Sequence, residues 1–157
     1  MRELEDKKYL KYLCKDLITK ENWYPKIRFK SWVTYCNFAV NFIMENFSYF
    51  EFNNKFANDI VDIMTESPVW KPVSFVDGFI SARSGKIVIA SQKGLKHGHV
   101  AVLYPADFMQ VSGSFGGEVP MVLNMGMTVG IVHLGFAFSK NPMPKLYLYD
   151  SENCKTI

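Results

Sequence analysis

The sequence predicts a single α+β domain in which helices come first and an antiparallel sheet follows. Two observations predict it. Apolar residues recur at three- and four-residue spacing through the first third of the chain, and short runs of β-branched and aromatic residues, set off by Gly or Pro, fill the rest. That order favours helices packed on one face of an antiparallel sheet. No repeat, low-complexity stretch or linker divides the 157 residues. One domain over residues 1–157 is therefore expected, with residues 1–30 as an N-terminal helical extension.

Over residues 3–19, Leu10, Leu13, Cys14 and Leu17 form one apolar stripe of an amphipathic helix, which Trp23-Tyr24-Pro25 ends. A second helix is expected over 34–47, with Cys36, Val40, Ile43 and Phe47 on one face. A third, over 54–65, carries Phe56, Ile60, Ile63 and Met64, and Ser67-Pro68 closes it. After a loop with two prolines, strands are expected at 86–91, 99–104, 109–115, 118–123, 129–138 and 146–149.

Composition narrows the function. A chain that is 48% hydrophobic and 21% charged is globular rather than disordered. The net charge is +3, and the basic residues of the first third are interrupted by Glu3, Glu5, Asp6, Asp16 and Glu21. That is a solvated helix face, not a phosphate track, so nucleic acid is not expected as a partner. No apolar run is long enough to span a membrane. The first residues carry charges where a signal peptide has its apolar stretch, so export by another route, or a missing leader, is expected. Aromatic residues are plentiful at 15%, which suits a Phe-rich core before it suggests a binding groove.

The chemistry lies with the three cysteines, at positions 14, 36 and 154. They form no CxxC pair and no zinc spacing, so neither a metal nor any other cofactor is expected. Cys14 sits within a helical apolar stripe and reads as a small buried hydrophobe. Cys154 lies in a polar tail. Cys36 differs: with Thr34 as the N-cap it falls in the first turn of its helix, where unpaired N–H groups and the helix dipole favour a thiolate. Taken alone, it too would more often be a buried hydrophobe.

A thiol nucleophile needs a base within reach. His99 opens the strand His99-Val100-Ala101-Val102-Leu103 directly after Gly98, sharing a face with Ala101 and Leu103. Ala101 is small enough to let a helix end approach the imidazole. His97 sits in a solvated turn, and His133, on a later apolar strand, reads as structural. Gln110, Ser112 and Asn124 follow His99 on strands and are candidates to orient it.

Tyr35-Cys36-Asn37-Phe38-Ala39-Val40 resembles the nucleophile motif of the NlpC and CHAP peptidoglycan hydrolases, which have a papain-like fold. Gly85-Lys86-Ile87-Val88-Ile89-Ala90, Lys93-Gly94 and Gly98-His99-Val100-Ala101-Val102, with Ser112-Gly113-Ser114 and Gly116-Gly117 after them, resemble the type VI secretion amidase effectors. The likeness covers residues 34–149 and leaves the first helix unexplained. It implies a Cys-bearing helix packed on an antiparallel sheet that carries the His, and cleavage of an amide in the peptide stem of peptidoglycan through a thioester. The bond between D-glutamate and the diamino acid is favoured over that joining lactyl to L-alanine. Cys36 would be the nucleophile and His99 the base; Ser112 matches the position where these effectors have a polar or thiol side chain. A dyad with Ser112 in support is expected. Tyr35, Asn37, Trp70, Gly98 and Gly113 would line the cleft. A monomer acting in the periplasm or cell wall, with a cognate immunity protein, completes the picture.

Two other readings compete. The same scaffold could serve a thiol hydrolase or acyltransferase acting on another amide or a lipid ester. A binding module that has kept the fold is the second, although a pure binder has no need of Cys36 paired with His99. A phage lysin would share the chemistry and differ only in delivery.

Overall fold

A computed structural model of the chain describes residues 2–19, 26–28, 31–150 and 152. Cys154 and the Trp23-Tyr24-Pro25 break lie outside the described residues. At the centre is a six-stranded antiparallel sheet of β3 (Trp70–Val73), β10 (Lys145–Tyr149), β4 (Val88–Gln92), β5 (His99–Leu103), β8 (Met121–Met125) and β9 (Val129–His133), adjacent in that order. Two short hairpins stand apart from it, β1 (Lys26–Arg28) with β2 (Ser31–Val33) and β6 (Gln110–Ser112) with β7 (Gly117–Val119).

The α+β class and the antiparallel sheet agree with the expectation; helices confined to one face do not. α1 (Arg2–Ile18), α2 (Cys36–Asn46) and α3 (Ala57–Glu66) cover one face, where Leu10, Leu17, Ile43 and Ile60 pack on Ile89, Val100, Val102 and Leu123. α4 (Phe75–Arg83) and α5 (Leu134–Ala137) cover the other, where Ala82 and Leu134 pack with Val88, Ala90, Ala101, Leu103 and Val122. A sheet buried on both sides has no polar face, and its strands read as unbroken apolar runs that do not reveal how many layers surround them.

α4 lies in what reads as a loop with two prolines. Its signals are short: Ser74 caps it, accepting the Asp77 N–H at 3.1 Å. The side toward the sheet is Gly78 and Ala82, so the helix sits close. A Cβ on Gly78 would come within 2.7 Å of Leu146 Cδ2. The second proline, Pro72, is tolerated because β3 is an edge strand. Residues 129–138, expected as one strand, break at His133, whose Nδ1 accepts the Gly135 N–H at 3.1 Å and starts α5.

α1 belongs to the main core: Leu10, Leu13, Cys14 and Leu17 are buried in the same cluster as α2 and α3. Gly85 fixes its approach. Its φ of +92° suits glycine, and a Cβ there would meet the Lys7 backbone nitrogen at 2.7 Å. Much of the aromatic surplus is core as well. Tyr49, Phe52, Trp70 and Tyr149 form a cluster with ring centroids 5.0–5.7 Å apart. Among the described residues no helix is long and apolar enough to cross a membrane.

Candidate active site

The site forms where β5 and β8 part. Their pairing runs over Val102 with Leu123 and Leu103 with Val122, and the Tyr104 N–H donates to the Met121 carbonyl at 2.9 Å. Continued toward the start of β5, this register sets Val100 opposite Met125. There the start of α2 takes up both strands' groups. The Met125 carbonyl accepts the Tyr35 N–H at 3.2 Å, and the Val100 N–H donates to the Cys36 sulfur.

Cys36 is the first residue of α2, and its side chain belongs to the buried stripe Cys36, Ala39, Val40, Ile43 and Met44. Tyr35 holds the N-cap position without a side-chain cap. The expected cap, Thr34, does something else: its hydroxyl bonds to the Cys36 sulfur. The backbone N–H groups of Cys36 and Asn37 point there too, so the sulfur sits among four donors. Burial nevertheless outweighs them and pushes the thiol above its ordinary value of 9.0. At neutral pH the resting group is a thiol.

His99 begins β5 and lies on the face covered by α4 and α5, with its ring centroid 4.7 Å from that of Phe138. Cys36 approaches from the opposite face, its sulfur bonding to the N–H of Val100, the residue that follows the histidine. Ala101 does not serve the approach of α2, as its size suggested. It lies under α4, with Ala82 and Ala90.

The orienting residue is Asn124, on β8. Its Oδ1 is 2.6 Å from His99 Nε2, and its Nδ2 donates to the Thr128 carbonyl at 2.6 Å. The second bond decides the first. Because the amide nitrogen is committed to a carbonyl, the oxygen faces the ring and must accept, so Nε2 carries the proton and Nδ1 keeps a basic lone pair. Burial lowers the His99 pKa below its ordinary 6.5, against the Asn124 bond, which raises it; the imidazole is neutral at pH 7. Gly126 backs onto the ring: a Cβ there would lie 2.9 Å from His99 Cε1.

Ser112 and Gln110, the other candidates for this role, do not reach the histidine. β6 pairs with β7 outside the main sheet, and neither side chain bonds to the imidazole. Ser112 Oγ bonds instead to Ser114 Oγ at 3.1 Å and to the Phe115 N–H at 3.3 Å, while Gln110 is exposed. The cleft candidates divide. Trp70 is a core residue three strands from β5, donating its Nε1–H to Tyr49 Oη at 3.0 Å. Gly98 serves packing: a Cβ would meet Asn58 Oδ1 at 2.3 Å, and Asn58 holds the 93–98 turn through both the carbonyl and the N–H of Gly94. Gly113 is exposed in the β6–β7 turn, with open space around it.

Tyr35 and Asn37 do stand at the site. Tyr35 is half-buried at the head of α2, its ring 5.8 Å from that of Phe38. Asn37 donates to the Lys55 carbonyl at 2.9 Å and opens a groove of about 540 Å³ along the solvent side of α2. The residues that sequence reasoning missed are Gly126, Phe138 and Thr128. Only Gly126 left a signal, a glycine two positions after a polar residue on an otherwise apolar strand.

Among the described residues no three His, Cys, Asp or Glu side chains converge to hold a metal ion. No protein-family model matches the chain, and no curated protein matches it.

Proposed function

We propose that the chain is a cysteine amidase that cuts the peptide stem of bacterial peptidoglycan, with Cys36 as nucleophile, His99 as general base and Asn124 as the residue that positions the histidine. The arrangement of the Asn124 amide carries the reading. It holds one imidazole nitrogen protonated and leaves the other basic, on the strand against which the Cys36 helix packs. A helix that bears Cys36 packed on an antiparallel sheet that bears His99 is also what the resemblance of residues 34–40 and 85–102 to the NlpC and CHAP hydrolases implies.

In this mechanism the Cys36 sulfur attacks the carbonyl carbon of the stem amide as its proton passes to His99 Nδ1. The N–H of Cys36, at the uncapped start of α2, donates to the developing oxyanion. His99 then gives its proton to the departing amine, the C–N bond breaks, and a thioester to Cys36 remains. Water adds to the thioester, losing a proton to His99. Collapse returns that proton to the sulfur, and the free acid leaves. Because both groups are neutral at rest, the thiolate forms only as the substrate closes over it. The favoured bond is that between D-glutamate and the diamino acid, and the periplasm or cell wall is where such an enzyme would act.

The test is incubation of the chain and its Cys36→Ala variant with purified muropeptides, followed by mass spectrometry. Cleavage by the unaltered chain alone supports the reading, and the product masses name the bond. No cleavage by either would overturn it.

A further inference from the structure

We infer that the groove along the solvent side of α2 binds the sugar strand of the wall polymer, an N-acetylated glycan, and so holds the stem for Cys36. The choice of glycan rests on the proposed wall-hydrolase activity; the site itself rests on what lines it. Asn37, Asn41 and Glu45 succeed one another every fourth residue along one side of α2, and Asn53, Asn54 and Lys55 face them. Four of these six side chains are neutral amides, and the one Glu and one Lys offset each other. At the rim, the phenyl rings of Phe38 and Phe56 are 53% and 75% exposed.

That chemistry fits a sugar better than a peptide or an anion. An amide offers a donor and an acceptor side by side, which matches neighbouring hydroxyls and N-acetyl groups. Flat exposed rings cover the apolar faces of pyranose units. Asn41 Nδ2 donates to Glu45 Oε1, while Asn41 Oδ1 is shut off from solvent without a partner; a turn of that side chain would bring the acceptor to a ligand hydroxyl or acetamido N–H. The far wall is firmly set. Asn54 holds a left-handed conformation, with φ of 59°, and the Lys55 carbonyl is tied to Asn37.

Position connects the groove to the chemistry. It opens at Asn37, the residue after the nucleophile, and extends to Glu45, about 12 Å along the helix at its ordinary rise. That is roughly two linked sugar rings. The groove lies on the side of α2 away from the buried stripe, as it should, since the scissile bond of the stem is separated from the sugar by other residues. A glycan seated here would send its stem around the head of α2 to the sulfur.

The experiment titrates tetra-N-acetylchitotetraose, which has no stem, into the Cys36→Ala protein and follows binding by NMR. Phe56→Ala and Asn41→Ala in that background should each weaken binding about three- to tenfold, the worth of one contact. Phe108→Ala, at an exposed ring outside the groove, should leave it unchanged. No binding, or binding indifferent to Phe56 and Asn41, overturns the proposal. Muropeptide cleavage is read separately. Cleavage without glycan binding removes the groove and leaves the amidase; groove-dependent binding without cleavage does the reverse.

Discussion

The imidazole Nε2 of His99 and the amide Oδ1 of Asn124 are 2.6 Å apart, and the same amide is anchored on its other side to the Thr128 carbonyl. The chain of bonds has a direction. Thr128 fixes which end of Asn124 faces the ring, Asn124 fixes which nitrogen holds the proton, and the remaining nitrogen is left as the base. A polar pair in an apolar sheet is costly to leave half satisfied.

Asn124→Ala removes both bonds at once. It leaves the His99 N–H and the Thr128 carbonyl without their partners, which should lower stability by about 1–3 kcal/mol for each group that stays buried. Muropeptide turnover should fall about a hundredfold, since the ring can then take either tautomer and either orientation. Asn124→Asp separates the effects. A carboxylate still accepts from Nε2 but faces the Thr128 carbonyl oxygen with no donor, and its charge favours the imidazolium. His99 must be neutral to act, so the acid limb of kcat/KM should move to higher pH. A limb that stays in place would remove Asn124 from the mechanism.

The stability profile follows from burial of the same groups. His99 is held below 6.5, so from 6.5 downward the unfolded chain takes up a proton that the folded chain resists. Stability should fall with pH there and level off once the folded imidazole is protonated too. Cys36 is raised above 9.0, and Cys14, on the buried side of α1, is pushed up to about 12. Above 9.0 the unfolded thiols ionise while the folded ones do not, so stability should fall again. Urea midpoints at pH 5, 8 and 10.5 measure both arms. Replacing Cys14 by Ala should flatten the alkaline arm relative to the unaltered chain; an unchanged slope would show that its thiol is not protected.

How far all this could be read in the sequence depends on what each feature needs. Cys36 at a helix start and His99 at a strand start are local, set by apolar periodicity and by Gly98, and both were legible. Asn124 was visible only as one of three polar residues, because choosing among Gln110, Ser112 and Asn124 requires knowing which strands share a sheet. The register that sets β8, and not β6, beside β5 is long-range. α4 was hidden for a different reason: a short helix facing the sheet with Gly78 and Ala82 has little apolar periodicity to show. The unmade rung between Val100 and Met125 left no sequence signal, since it consists of backbone groups.

Alkylation distinguishes the two described thiols. Both are protonated at pH 7, but for different structural reasons. Cys14 is fully buried in the helical core with no opposing donors, whereas Cys36 sits at the mouth of the parted strands among four. In a Cys154→Ser background, iodoacetamide should modify Cys36 in the folded protein at a rate that climbs with pH, and Cys14 only as fast as the chain unfolds. Peptide mapping over time at pH 7 and 9 reads both. Equal rates for the two cysteines in the folded state would contradict the placement of Cys36.

Two glycines beside the histidine should respond differently to the same added methyl group. At Gly126 a Cβ would press on the His99 ring, 2.9 Å from Cε1 and 3.4 Å from Nε2, and on Asn124 Nδ2 at 3.6 Å. Each of those atoms belongs to the proposed catalytic apparatus, and the ring can yield only by turning off its bond to Asn124. Gly126→Ala should therefore cost one to two orders of magnitude in kcat with KM little changed, along with about 1–3 kcal/mol of stability for the broken bond. At Gly98 the Cβ would strike Asn58 Oδ1 at 2.3 Å and the Gln92 carbonyl at 2.9 Å, loosening the 93–98 turn from α3. Gly98→Ala should lower stability by about 1–3 kcal/mol, the usual cost of overpacking a tight contact. The sign of the contrast is what matters. If Gly126→Ala lost stability and kept its kcat, the ring would be packing rather than chemistry, and Cys36 would have to find its base elsewhere.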